Sequence, residues 1–126
     1  MAQLEQATVC VIDDDEAVRT ALEFLVESHG LRARTFATAE AFLASAPQAC
    51  TYGDCLVLDL HMPRINGAEL QEMLDREGCA LPTVVLTGRP HDALARRAVA
   101  AGARAVVRKP FDPRHLMAEI RAALAA

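Results

Sequence analysis

Residues 55–63 have the sequence C-L-V-L-D-L-H-M-P, in which an apolar run carries one carboxylate, Asp59, near its end. A short run of this apolarity is typical of a parallel strand that is buried on both faces. A lone carboxylate at the end of such a strand is unfavourable unless a cation, a hydrogen-bond donor or a metal compensates its desolvation. Asp59 therefore needs a partner from elsewhere in the chain.

Charged residues also follow two other apolar runs, at residues 9–12 and 105–107. The first run is followed by Asp13, Asp14 and Asp15, and the second leads to Lys109. These two segments are the candidates for partners of Asp59.

The spacing of apolar residues predicts five short strands that alternate with five amphipathic helices. The strands are predicted at residues 8–12, 31–36, 55–59, 83–86 and 104–108, and the helices at 16–27, 39–44, 68–74, 92–101 and 113–125. Helix boundaries are indicated by the capping residues Asp15, Thr38 and Asp112, by Gly30, Gly78 and Gly102, and by Pro47. The alternation predicts a parallel sheet with right-handed crossovers in a three-layer α/β sandwich.

In such a fold the carboxyl ends of the strands share one edge of the sheet, where ligands bind. Asp13 and Asp14 follow the first strand and Asp59 ends the third. Thr87 ends the fourth strand and Lys109 follows the fifth. Four separate pieces of sequence are therefore expected to form one site.

Three carboxylates in one site repel one another, and a divalent cation relieves the repulsion. Ligands that are all oxygen favour Mg²⁺. The Lys109 ammonium and the Thr87 hydroxyl suit a phosphoryl group beside that metal. We therefore predict phosphoryl transfer to a carboxylate, with the central Asp59 as acceptor, because such transfer needs positioning and charge neutralisation more than a catalytic base.

The composition predicts one globular domain over residues 1–126. Of the 126 residues, 52% are hydrophobic and 24% are charged, which is too apolar for a disordered segment. A net charge of −4 argues against binding to nucleic acid or an anionic membrane. The N-terminus does not resemble a signal peptide and no apolar run approaches about 20 residues, so a cytoplasmic location is expected.

The four cysteines give no sign of a zinc or redox motif. Cys10, Cys50, Cys55 and Cys79 form no C-x-x-C pair and no paired spacing with histidine. Cys10 and Cys55 lie inside apolar strands, and we interpret them as small hydrophobic residues.

Four motifs make the chain resemble the receiver domain of two-component response regulators, the CheY-like superfamily. The motifs are V-I-D-D-D-E at 11–16, L-D-L-H-M-P-x-x-N-G at 58–67, V-L-T-G at 85–88 and K-P-F at 109–111. The resemblance extends over residues 8–124 and implies the flavodoxin-like strand order 2-1-3-4-5. It also implies a signalling module that is no enzyme beyond Mg²⁺-dependent self-phosphorylation and self-dephosphorylation.

By this resemblance, Asp59 is the phosphoacceptor of a phosphorelay. Asp14, Asp59 and the main-chain carbonyl of His61 would be direct ligands of Mg²⁺, for which Mn²⁺ can substitute. Asp13 would contact the ion through water.

The resemblance also implies a phosphoryl-binding role for Lys109, a cis peptide bond before Pro110, and movement of Thr87 toward the phosphoryl group. The family often has an aromatic residue three positions before the lysine, where this chain has Val106. The usual rotamer switch cannot operate through a stiff, small valine. Signal output is therefore expected to depend on backbone shifts in the fourth helix and fifth strand.

The chain is most similar to the FixJ-like branch, because of the D-D-D-E run, T-A-E-A-F-L at 38–43 and T-G at 87–88. The implied partners are a sensor histidine kinase or phosphotransfer protein and a C-terminal DNA-binding output domain that controls transcription. Five arginines gather in the fourth helix and fifth strand, at positions 89, 96, 97, 104 and 108. They indicate either a solvated face or a surface for a partner or a phosphorylation-dependent homodimer.

Two alternatives remain open: an interaction module that does not depend on phosphorylation, and a degenerate receiver in which Asp59 only pairs with Lys109. A flavodoxin-type electron carrier is disfavoured, because it needs a hydroxyl-rich loop where this chain has three aspartates. A hydrolase with a D-x-D nucleophile loop is disfavoured, because the segment 59–61 lacks a second aspartate.

Overall fold

The described part of the chain forms a five-stranded parallel sheet. A computed structural model describes residues 7–45 and 53–125. The strands are β1 (Thr8–Ile12), β2 (Arg32–Phe36), β3 (Cys55–Asp59), β4 (Thr83–Thr87) and β5 (Ala105–Arg108). Their order in the sheet is β2-β1-β3-β4-β5, which confirms the predicted fold. The order of the strands along the sheet reverses between β1 and β3, which is where ligands bind in folds of this type.

Four helices connect the described strands, a fifth follows β5, and together they cover both faces of the sheet. They are α1 (Glu16–Ser28), α2 (Ala39–Ser45), α3 (Gly67–Arg76), α4 (Ala93–Ala100) and α5 (Pro113–Ala125). Alternate strand residues point to opposite faces. Val9, Val11 and Val57 pack with α1 and α5, whereas Cys10 and Leu56 pack with α2 and α3. The result is the predicted three-layer sandwich.

Side chains at the helix starts fix where the helices begin. Asp15 accepts the N–H groups of residues 17 and 18, and Thr38 accepts the N–H of residue 41, as predicted. An unpredicted capping box between Asn66 and Glu69 starts α3 at Gly67, one residue earlier than expected. Pro47, which was expected to stop α2, lies outside the described residues.

The ends of the elements differ from the predictions by one or two residues. The strands β2 and β5 begin one residue later than predicted, and α3 continues to Arg76. Asp92 and Ala101 are caps rather than members of α4. Gly30, Gly78 and Gly102 have positive φ angles beyond the helix ends, where a side chain would be strained.

The core confirms the interpretation of the strand cysteines and of the central strands. Cys10 and Cys55 are buried, and burial raises the pKa of the Cys10 thiol to about 11 and that of Cys55 to about 12. All five residues of β3 are buried, including Asp59. None of the described helices is long and apolar enough to cross a membrane.

Candidate functional site

Three carboxylates meet at the carboxyl edge of the sheet. β1 and β3 pair with Ile12 opposite Leu58, so Asp13 and Asp59 are brought to adjacent strand ends. One oxygen from each of Asp13, Asp14 and Asp59 lies within 4.8 Å of the other two. Asp13 and Asp59 are buried and Asp14 is exposed, so the cluster opens to solvent on one side.

Lys109 reaches the same cluster from the loop after β5. Its Nζ atom lies 2.8 Å from Oδ2 of Asp13 and 3.2 Å from Oδ1 of Asp59. The main-chain N–H of Lys109 donates to the carbonyl of Thr87, and the peptide bond between Lys109 and Pro110 is cis. One ammonium therefore faces three carboxylates, and the site has an excess of negative charge.

This crowding changes the ionisation of the buried groups. Burial and the neighbouring charge of Asp13 raise the pKa of Asp59 from 3.8 to about 6, although Lys109 opposes the rise. Burial alone would lower the pKa of Lys109, but its hydrogen bond to Asp13 and the charge of Asp59 raise that pKa. The site therefore stabilises the charged form of Lys109 and destabilises the charged form of Asp59.

Asp13 is fixed in place by four hydrogen bonds. Its Oδ1 accepts the N–H of Asp15 at 2.9 Å and its Oδ2 accepts Lys109. Its N–H donates to the carbonyl of Phe36, and its own carbonyl accepts Nη1 of Arg19 at 2.8 Å. Arg19 was not among the predicted site residues, since its position in α1 predicts only that it belongs to the polar face.

Thr87 is fully buried at the end of β4. Its hydroxyl oxygen accepts the N–H of Arg89 at 3.0 Å, so the hydroxyl is engaged with the loop that leads to α4. Val106 is half-buried and packs against the small cluster beneath α4.

His61 has a side-chain contact that the sequence did not predict. Its Nε2 atom lies 2.9 Å from Oδ2 of Asp92, and the other oxygen of Asp92 accepts the N–H of Ala95 in the first turn of α4. No spacing rule links residues 31 positions apart in two loops. The sequence analysis placed Asp92 inside the fourth helix, whereas the structure makes it the N-cap of α4.

The donor set at this edge fits a magnesium ion. Three clustered carboxylates supply hard oxygen ligands and an uncompensated negative charge. Within the part of the chain that the structure describes, no hydrogen-bond donor occupies the main-chain carbonyl of His61. Gly67 packs so closely beneath this loop that a Cβ atom there would collide with the carbonyl oxygen of Asp59.

Comparisons with known proteins agree with this geometry. Transcriptional regulatory protein FixJ of Azorhizobium caulinodans is 41% identical over 121 residues, which cover 95% of this chain and 56% of FixJ. Response regulator protein TmoT of Ectopseudomonas mendocina is 38% identical over 121 residues, which cover 95% of this chain and 54% of TmoT. The chain spans about half the length of these curated relatives.

Solved structures give the same result. The structure of FixJ-N has a TM-score of 0.85 and 35% identity, covering 95% of this chain and 94% of that one. The response regulator StyR has a TM-score of 0.86 and 37% identity, covering 95% of this chain and 60% of that one.

A family model described as the response regulator receiver domain matches residues 9–121. Domains of this family are generally signalling domains rather than enzymes, and they bind Mg²⁺ through an acidic pocket. In this chain Asp13, Asp14 and Asp59 form an acidic cluster. This chain therefore belongs to the receiver domain family of two-component response regulators.

Proposed function

We propose that Asp59 accepts a phosphoryl group from a sensor histidine kinase or a phosphotransfer protein. The observation that carries this proposal is the convergence of Lys109 with three carboxylates at a single opening of the sheet edge. A site with an excess of negative charge that is open to solvent suits a cation and a phosphoryl donor better than a purely structural ion pair.

The reaction is an in-line displacement at phosphorus. A carboxylate oxygen of Asp59 forms the new O–P bond as the bond from phosphorus to the donor imidazole nitrogen breaks, and the freed imidazole takes a proton from solvent. Lys109 is placed to bind an oxygen of the transferred group, and Thr87 is the candidate to donate to it. No base is required, because the Asp59 carboxylate is already the nucleophile.

Mg²⁺ is the proposed cofactor, with Mn²⁺ as a substitute. Asp14, Asp59 and the main-chain carbonyl of His61 would hold the ion directly, and Asp13 would hold it through water. When bound, the ion supplies positive charge that neutralises the phosphoryl oxygens. Asp13 is suited to the indirect role, because its two carboxylate oxygens already accept hydrogen bonds.

Residues 1–126 are proposed to form one receiver domain that acts in the cytoplasm. Phosphorylation is proposed to shift the population between two conformers of this domain. The relatives FixJ and TmoT carry the names of a transcriptional regulatory protein and a response regulator. We therefore propose a DNA-binding output domain as partner and transcription as the output. The α4–β5 surface is the proposed face for a phosphorylation-dependent homodimer.

The experiment is incubation with acetyl phosphate, with and without Mg²⁺, followed by intact-mass measurement. Wild type should gain one phosphoryl group only with Mg²⁺, and Asp59→Asn should gain none. The exposed Asp75→Asn variant is the matched control and should behave as wild type. The second candidate is an interaction module that does not depend on phosphorylation, because Val106 cannot provide the aromatic switch. It would be favoured if wild type gained no phosphoryl group and Asp59→Ala still bound a partner.

Lys109→Ala gives a second test of the same scheme. If the ammonium stabilises the conformer that carries the phosphoryl group, this variant should be phosphorylated but respond weakly. A normal conformational response would contradict the role proposed for Lys109.

A further inference from the structure

His61 belongs to two parts of the molecule at once. Its main chain lies in the loop after β3, which the proposed function makes part of the metal site. Its imidazole contacts Asp92, the N-cap of α4. Because a carboxylate can only accept, the Nε2–H of His61 donates to Oδ2 of Asp92.

The loop that carries His61 is constrained at its base. The carbonyl of Leu60 accepts the N–H groups of both Met62 and Gly67, at 3.2 and 2.9 Å. These hydrogen bonds hold the main chain on both sides of His61, and the imidazole is attached to that main chain through the Cα of His61. A change in the position of the His61 carbonyl is therefore transmitted to its imidazole.

α4 is a receptive element for such a change, because it buries little apolar surface. The buried residues of α4 are Ala95 and Ala98, its Leu94 is partly buried, and Leu60 and Val85 lie on the sheet side of the same cluster. Alanine side chains contribute little hydrophobic stabilisation, so polar contacts hold a large share of the position of α4.

Two connections run from the site to the start of α4. One passes from the Thr87 hydroxyl to the N–H of Arg89 and along the loop to residue 92. The other passes directly through the His61 side chain to Asp92. Only the first uses a residue that is proposed to bind the phosphoryl group, and Val106 cannot supply an aromatic switch beside it.

We propose that the His61–Asp92 contact couples occupancy of the acidic site to the first turn of α4, with His61 as a positioning residue. The inference rests on the proposed function and extends it to the regulation of that site. When Mg²⁺ and a phosphoryl group fill the site, they fix the loop that carries His61. The imidazole then holds Asp92 in its capping position, and the first turn of α4 unfolds locally less often. By linkage, a loss of this contact weakens the response of α4 without removing the site.

Hydrogen–deuterium exchange of α4 tests the coupling, with Mg²⁺ and beryllofluoride as the probe of a filled site. Wild type should show slower exchange at residues 93–97 when the probe is added. Asp92→Ser keeps an N-cap oxygen for α4 but has no second oxygen to reach His61. This variant should still bind the probe, as seen by protection around residue 59, but lose the slowing at 93–97.

Two further variants complete the design. His61→Ala should lose the slowing at 93–97 as Asp92→Ser does, and His91→Ala, the exposed neighbouring histidine, should respond as wild type. A full α4 response in Asp92→Ser, or no α4 response in wild type that binds the probe, would overturn the coupling alone. Failure of wild type both to bind the probe and to take a phosphoryl group from acetyl phosphate would overturn the proposed function and the coupling with it.

Discussion

The layer formed by α1 and α5 and the helix α4 on the opposite face of the sheet are held by different kinds of interaction. The layer formed by α1 and α5 buries large aliphatic side chains against the sheet, among them Leu22, Leu116 and Ile120. On the opposite face, the buried residues of α4 are two alanines. The first layer is therefore stabilised by burial of apolar surface, and α4 by a small amount of burial with additional polar contacts.

Those polar contacts connect α4 to its neighbours along its whole length. Asp92 contacts His61 at the start, Arg97 pairs with Glu72 in the middle, and the carbonyl of Ala101 accepts Nε2 of Gln71 at the end. The contacts of Asp92 and Arg97 are partly exposed and exchange with water at small net cost, whereas the Gln71 hydrogen bond is buried. Because less apolar surface holds α4, we expect it to be displaced more easily than α1 or α5.

The largest effect should come from a cavity in the layer formed by α1 and α5. Ile120→Ala in α5 removes a fully buried side chain and should lower the free energy of unfolding by about 2–5 kcal/mol. Urea denaturation measures the change. Val99→Ala, at an exposed position of α4, should change stability by less than about 0.5 kcal/mol. Equal losses in the two variants would contradict the difference in burial between Ile120 and Val99.

A second loss of stability should appear at the start of α3, on the same face of the sheet as α4. There the main chain of Gly67 packs directly against the main chain of Asp59. Gly67→Ala would place a Cβ atom against the carbonyl oxygen of Asp59 and the Cα of Leu60. We expect a loss of about 1–3 kcal/mol from this overpacking, with reduced Mg²⁺ binding because the Asp59 main chain is displaced. Gly88→Ala is the control, since a Cβ atom there meets nothing within 4 Å. Unchanged stability in Gly67→Ala would show that the contact relaxes freely.

The sequence was sufficient for most of the fold, because strand burial and helix periodicity are strong local signals. The five residues of β3 are all buried, as their uninterrupted apolarity predicted. The convergence of Asp13 and Lys109 on Asp59 also followed, since parallel topology alone brings the carboxyl ends of strands together.

The contacts that the sequence did not predict are those between side chains of distant loops and helices. The pairs His61–Asp92 and Arg97–Glu72 depend on the tilt and spacing of packed helices, and no periodicity within one element specifies them. The hydrogen bond from Arg19 to the Asp13 carbonyl has the same origin. Prediction was therefore better for the burial of apolar side chains than for polar contacts between separate elements.

The site lies at the carboxyl edge of the sheet, between its two faces. When the negative charge of the site is uncompensated, it should lower the free energy of unfolding. Asp59→Asn removes a buried carboxylate whose pKa is raised from 3.8 to about 6, while Lys109 keeps its hydrogen bond to Asp13. In metal-free buffer at pH 7.5, the variant should be more stable than wild type by about 2 kcal/mol.

The pH dependence of that difference has a definite sign. Because the folded state binds the proton on Asp59 more tightly than the unfolded state, the contribution of Asp59 to stability falls as pH rises from about 4 to about 6, and the variant lacks this contribution. Urea denaturation at several pH values in EDTA should show a gap that widens over this window, and Mg²⁺ should narrow it at pH 7.5. Glu77→Gln, an exposed charge removal, is the control. A gap that is independent of pH would contradict the burial argument.

The smallest effect should come from the ion pair that links α3 to α4. Arg97 contacts Glu72 through two hydrogen bonds of 3.0 and 2.7 Å, but both side chains are substantially exposed. Solvent screens such a pair, so Glu72→Gln should leave global unfolding nearly unchanged and instead speed local amide exchange in α4 by about 1.5- to 5-fold. High salt should speed exchange in wild type toward the rate of the variant, because it screens the same interaction. A large loss of global stability in Glu72→Gln would mean that the contacts of α4 contribute as much to stability as those of α5. The helix α4 and the layer formed by α1 and α5 would then not differ in the way that their side chains indicate.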